Sequence, residues 1–218
     1  MTQQNSPAVA QTPANANSDV QQYQLTPVED AAPIVVNVEK EFSGAQWVER
    51  FPTSRQTVDL VSPFRENVDS FISALSAAGV GVDISATLRP PERAYLMHYC
   101  TRIAAGTVAP QDVPEMEGVD IEWVHRDAQG QIDLTQSKDA ARAMKSAYQI
   151  VHPPALVSRH SQGRAIDMTL TNIMNRNVVN GQGVEVLISS SAILYQVGSS
   201  YGVRKLVSDA PHWSDDGH

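Results

Sequence analysis

The stretch Ser158–Met168, SRHSQGRAIDM, decides how this chain is read. It begins polar and bends at Gly163, where the missing Cβ permits a tight turn. It then runs into the apolar-rich AIDMTL of Ala165–Leu170. That order predicts a loop feeding a strand, with His160 on the loop and Asp167 on the strand seven positions later. Imidazole nitrogen and carboxylate oxygen are both good zinc ligands at about 2.0–2.2 Å, and the small Ala165 leaves room beside them. Two ligands do not make a site. A third candidate, His212, lies in SDAPHW (Ser208–Trp213), with Asp209 three residues before it. Three protein ligands leave one position for water, the mark of a catalytic rather than a structural zinc. A carboxylate beside that water can take its proton.

Outward from these segments, apolar spacing and turn residues predict a series of helices and strands. Ser62 and Pro63 read as N-cap and first position of a helix carrying Phe64, Val68, Phe71, Ile72 and Leu75, which stops at Gly79. Val82–Leu88 alternates with period two and reads as a strand. Pro90 and Pro91 then open a helix that runs to Gly106, and Thr107–Gly118 is a loop. IEWVH and QIDL flank the turn-like DAQGQ and predict a hairpin. Ser137 reads as the cap of a third helix with Ala140, Met144, Ala147 and Tyr148 on its apolar side, broken by His152, Pro153 and Pro154. Val178–Ile188 reads as a hairpin around Asn180 and Gly181, Ser190–Tyr201 as a last helix, and Val203–Val207 as a final strand. Helices come mostly early and strands mostly late. The expected class is α+β, a small antiparallel sheet carrying the zinc site and packed by several helices.

Bulk composition sets outer limits. The 218 residues are 42% hydrophobic and 18% charged, which suits one globular domain plus some tail. A net charge of −8 and a pI near 5.1 argue against nucleic acid or an anionic membrane as the main partner. No run reaches the roughly 18 apolar residues that a spanning helix needs, so membrane insertion is not expected. The single cysteine, Cys100, excludes an internal disulfide and reads as a buried thiol. Residues 1–41 read as a disordered tail or tether, since Met1–Pro33 is rich in Gln, Asn, Ala, Ser, Thr and Pro and has no Lys or Arg. Ile34–Val38 reads as a short strand or more tail, and residues 42–218 as the zinc domain. MTQQNSPAVAQTP lacks both the basic start and the apolar stretch of a secretory signal, which predicts synthesis in the cytoplasm.

Together the two motifs resemble those of the LAS-type zinc peptidases, in particular the branch of D-alanyl-D-alanine carboxypeptidases and phage L-alanyl-D-glutamate endopeptidases. That family carries S-x-H-x-x-G-x-A-x-D, matched at Ser158, His160, Gly163, Ala165 and Asp167, and a carboxylate-x-x-His matched at Asp209 and His212. The resemblance implies one zinc ion held by His160, Asp167 and His212, with Asp209 as base. It also implies an arginine after an early strand, matched by Arg89 in TLRPPERAY, which helps polarise the scissile carbonyl or hold a substrate carboxylate. The family glutamine five residues on is replaced by Ala94, with Arg93 beside it. Ser158, Arg93 and Arg159 are the candidate substrate contacts.

The implied activity is hydrolysis of amide bonds next to D-amino acids in peptidoglycan stem peptides. The wall would be reached by holin release, virion delivery or injection, and the N-terminal tail could join a carrier or virion protein. The alternatives are a zinc-bearing binding module without turnover and a phage or secretion-system component that grips cell wall. His98, His125, His152 and His218 read as structural or exposed histidines. An accessory ion site at His125, beside Glu122 and Asp127, is conceivable, and SDDGH (Ser214–His218) reads as a solvated end rather than a ligand set.

Overall fold

A computed structural model describes residues 39–151 and 154–218. The readings placed on the N-terminal tail, on Ile34–Val38 and on His152 lie outside the described residues. The first element, β1 (Glu41–Phe42), leads through a short 3-10 turn at Ala45–Glu49 into α1 (Phe64–Ala77). This helix buries Phe64, Val68, Phe71 and Leu75 along one face, as their spacing predicts. Its start differs slightly from expectation. Pro63 holds the cap position without a side-chain bond, and Ser62 instead donates its hydroxyl to Glu66 Oε1 at 2.6 Å. Next come β2 (Gly81–Ala86) and α2 (Pro91–Ala105), whose first turn accepts Pro91 and whose end is a left-handed Gly106.

The expected hairpin after the Thr107–Gly118 loop is reduced to its tip, where Asp127 N donates to Gln131 O at 2.9 Å and Asp133 N to His125 O at 2.8 Å. β3 (Ile121–Glu122) pairs in parallel with β1, and only an isolated bridge joins Arg126 to Ile132. The side chains explain this: Glu122 Oε1 takes the Val124 amide and Asp127 Oδ1 takes those of Gln129 and Gln131, so these donors are spent locally. α3 (Leu134–Ala147) begins three residues before the predicted Ser137, because Asp133 is the cap, its carboxylate accepting from Gln136 N at 2.9 Å. Ser137 is buried inside the helix, where its hydroxyl donates to Asp133 O and accepts from His125 N. The buried stripe is accordingly Ser137, Ala141 and Met144, not Ala140 and Ala147.

The rest of the chain builds the sheet. β4 (Ala165–Thr171) is followed by a hairpin of β5 (Asn177–Val179) and β6 (Glu185–Leu187), then by α4 (Ser191–Ser200), β7 (Arg204–Lys205) and β8 (His212–Ser214). The strand order is β2-β4-β8-β7, antiparallel throughout, and the fold is α+β. β7 is shorter than Val203–Val207 because Leu206 N already donates to His212 O at 3.1 Å, closing the chain into a turn. β8 is too short to show an alternating pattern, and the sequence reading did not anticipate it.

Alternation across this sheet separates core from site. Ile166 and Met168 on β4 and Trp213 on β8 join the core made with α1 and α4, so Asp167 and His212 lie on the opposite face. A second core, with Trp47, Leu96, Ile103, Trp123 and Met144, joins α2 and α3. Cys100 is buried in it, and burial pushes its thiol up to about 12, so it stays protonated as expected of a structural cysteine. Trp213 packs against Phe71 and Tyr195, with ring centroids 5.5 and 5.8 Å away.

Gly198 on α4 sits against this tryptophan. A Cβ there would lie 2.6 Å from the Trp213 ring and 2.8 Å from Val203 O. Gly198→Ala is therefore expected to destabilise the domain by about 1–3 kcal/mol, as overpacking does. Urea unfolding measures this, and an unchanged midpoint would show that α4 is free to retreat.

Candidate metal centre

The register of the sheet makes the first two-thirds of the site. Asp167 on β4 and His212 on β8 are direct cross-strand partners, so their side chains emerge side by side on the face away from the core. His160 arrives from the loop before β4. Gly163 in that loop has φ +66, and a Cβ there would also meet Val61 Cγ1 at 3.2 Å and Asp59 O at 3.3 Å. The loop needs this glycine both for its backbone conformation and for its close approach to the chain before α1, where Val61 N donates to Gly163 O at 3.0 Å. Ser158 and Ser161 bond each other's backbone, which fixes the turn.

Three ligand atoms converge. His160 Nε2 is 3.1 Å from Asp167 Oδ1 and 3.2 Å from His212 Nδ1, and His212 Nδ1 is 3.2 Å from Asp167 Oδ1. The other ring nitrogens decide what these atoms carry. His160 Nδ1 lies 2.7 Å from Thr87 O and His212 Nε2 lies 3.2 Å from His218 O. A carbonyl oxygen can only accept, so each of these nitrogens holds the ring proton and each facing nitrogen presents a lone pair. Two imidazole lone pairs and a carboxylate aimed at one another require a cation between them. Tetrahedral zinc at about 2.0–2.1 Å from each ligand puts ligand atoms about 3.3 Å apart, close to the triangle seen here. The residues therefore fit a zinc ion, and both histidines have the carbonyl partners that metal-bound imidazoles need.

No protein-family model and no curated protein matches this chain. Among solved structures it is similar to a Zn(II)-bound mutant of the vancomycin resistance D,D-pentapeptidase VanY from a VanB-type resistance cassette. The similarity is 15% identity over 76% of this chain and 79% of that chain, with a TM-score of 0.31. That score is too low to carry a comparison of folds, so the chemistry is read from the side chains themselves.

The three ligands sit in a cleft of about 560 Å³ that is also lined by Arg89, Ser158, Arg159 and Asp209. Arg89 is held through its backbone N–H, which donates to His160 O at 3.0 Å. Burial lowers its guanidinium from the ordinary value, opposed by the nearby Asp167. Asp209 is exposed on a turn in which Asp209 N donates to Leu206 O and His212 N to Asp209 O. Lys205, which the sequence did not single out, braces this turn: its Nζ donates to the carbonyls of Leu206, Asp209 and His212. A lone lysine at a strand end gives no signal of such a role.

Arg93 lies away from the cleft, donating to Val48 O and stacking 4.7 Å over the Tyr148 ring. Arg159 is engaged by Gln162, Asp215 and Asp216. Ser214–His218 does not run out into solvent as expected. Instead it folds back, so that Asp216 and His218 line the cleft. His125 is buried against Ser43 and Phe42, and among the described residues no second ligand cluster accompanies it. A larger depression of about 780 Å³ between α1 and the β5–β6 hairpin has no converging ligand set either. No helix among the described residues is long and apolar enough to cross a membrane.

The chain should bind one zinc ion, and stripping it with a chelator should lower the melting temperature, since the metal binds only the folded site. Metal analysis after dialysis should show that His160→Ala and His212→Ala lose the ion. Absence of zinc from the reconstituted parent would refute the assignment.

Proposed function

We propose that this chain is a zinc peptidase that hydrolyses amide bonds next to D-amino acids in peptidoglycan stem peptides. The observation that carries the reading is the convergence of three lone-pair donors in an open cleft that also holds Asp209 and Arg89. Zinc held by His160, Asp167 and His212 would supply Lewis acidity, making water more acidic and a carbonyl more electrophilic. The choice of bond follows the resemblance of S-x-H-x-x-G-x-A-x-D and D-x-x-H to the peptidase motifs.

The chain's own groups do the rest. Asp209, exposed at the cleft and free of the ligand triangle, accepts the proton of the attacking water and passes it to the leaving amine. The Lys205 brace keeps its turn in register with His212. Arg89 faces the oxyanion as it forms, and the desolvation that lowers its ordinary value also strengthens its field there. Arg93 is committed to Tyr148 and Arg159 to carboxylates, so Arg89 is the arginine of the three available to substrate. The presence of a base and an arginine in the cleft favours turnover over a binding module.

Incubation with purified peptidoglycan, followed by mass spectrometry of the new amino and carboxyl termini, identifies the bond. Asp209→Ala should keep its zinc and lose about 10²–10⁴ in rate, the usual cost of removing a general base. An Asp209→Ala protein that holds zinc and cleaves at the parent rate would remove Asp209 from the mechanism.

A further inference from the structure

His160 and His212 are oriented in different ways. The carbonyl that receives the His160 ring proton belongs to Thr87, just past β2 and tied into the scaffold, where Thr87 N donates to Ser54 O at 2.7 Å. The carbonyl that receives the His212 ring proton belongs to His218, four residues past β8 and outside any ladder. Something else must hold that main-chain oxygen in place.

The holder is Asp216. Its Oδ1 accepts from His218 N at 3.1 Å and from the Ser214 hydroxyl at 3.3 Å, while its Oδ2 is paired with Arg159 Nη2. The turn is completed by Gly217, at φ +86, whose N–H donates to Ser214 Oγ at 2.8 Å. Arg159 in turn is fixed by Gln162 Oε1 at 3.1 Å and by Asp215, which also meets Arg164. Since Arg159 precedes His160 in the chain, the pair joins the segment that carries one ligand to the segment that orients the other.

We propose that Arg159 and Asp216 form a clasp that seats the His218 carbonyl on His212, making Arg159 a positioning residue of the metal centre and not a substrate contact. A partly exposed ion pair adds little to stability by itself. Here it also fixes the main-chain oxygen of His218, and that oxygen selects the His212 tautomer whose lone pair faces Asp167. Loss of either partner frees the 215–218 turn and leaves the ring able to rotate or to switch tautomer. The inference rests on the metal-site reading.

The test is zinc affinity by competition with a chromophoric chelator, with steady-state kinetics at saturating zinc beside it. Arg159→Ala and Asp216→Ala should each weaken zinc about 10–100-fold, as loss of the groups that orient a ligand does. The double variant should be no worse than the weaker single one. Gly217→Ala strains the same turn without touching a charge and should weaken zinc in the same direction, while KM at saturating zinc stays at the parent value. Parent-like zinc affinity in Arg159→Ala and Asp216→Ala, with KM raised in Arg159→Ala, would overturn the clasp and make Arg159 a substrate contact. Failure of the parent itself to take up zinc would instead overturn the metal reading, and the clasp with it.

Discussion

Two imidazole lone pairs and a carboxylate held about three ångströms apart repel one another unless a cation lies between them, and much of this domain is arranged to hold them there. Cross-strand pairing of β4 and β8 sets Asp167 beside His212, and a loop closed tightly at Gly163 brings in His160. Two main-chain oxygens, from Thr87 and His218, then fix which nitrogen of each ring is bare. The core on the far side of the sheet supplies the stiffness. Trp213, next to His212, is wedged among Phe71, Tyr195 and Gly198, so the ligand strand cannot drift without disturbing α1 and α4.

The same convergence shapes the rest of the cleft. The Asp167 carboxylate favours the guanidinium of the partly desolvated Arg89. Asp209 avoids this cluster by sitting on an exposed turn, which leaves its carboxylate free for proton transfer. One lysine spans the turn that separates the two functions, touching the carbonyls of both Asp209 and His212. The proposed ligand His212 and the proposed base Asp209 thus share a single tight turn.

Much of this was legible in the sequence because it is local. His160, Gly163, Ala165 and Asp167 fall within eight residues whose spacing is that of a loop entering a strand, and Asp209 and His212 within four. Amphipathic spacing likewise placed α1, and proline and glycine signals placed α2 and the end of α4, to within a residue or two. What was missed depends on partners far apart in the chain or on backbone groups. The Arg159–Asp216 pair spans 57 positions, and the role of His218 lies in its carbonyl, which no side-chain pattern records. β3 was read as half of a hairpin because its residues suit a strand, whereas its partner β1 lies some eighty residues upstream. α3 was misplaced because Ser137 and Asp133 are both good caps, and only the buried contact of Ser137 with His125 N shows which of them is inside the helix.

The most direct test is nitrogen-15 NMR of the two site imidazoles in the zinc-loaded protein. Opposite tautomers are predicted, with the proton on Nδ1 of His160 and on Nε2 of His212, and with metal-shifted resonances from His160 Nε2 and His212 Nδ1. A proton on either nitrogen that faces Asp167 in the loaded protein, or the same tautomer in both rings, would contradict the account.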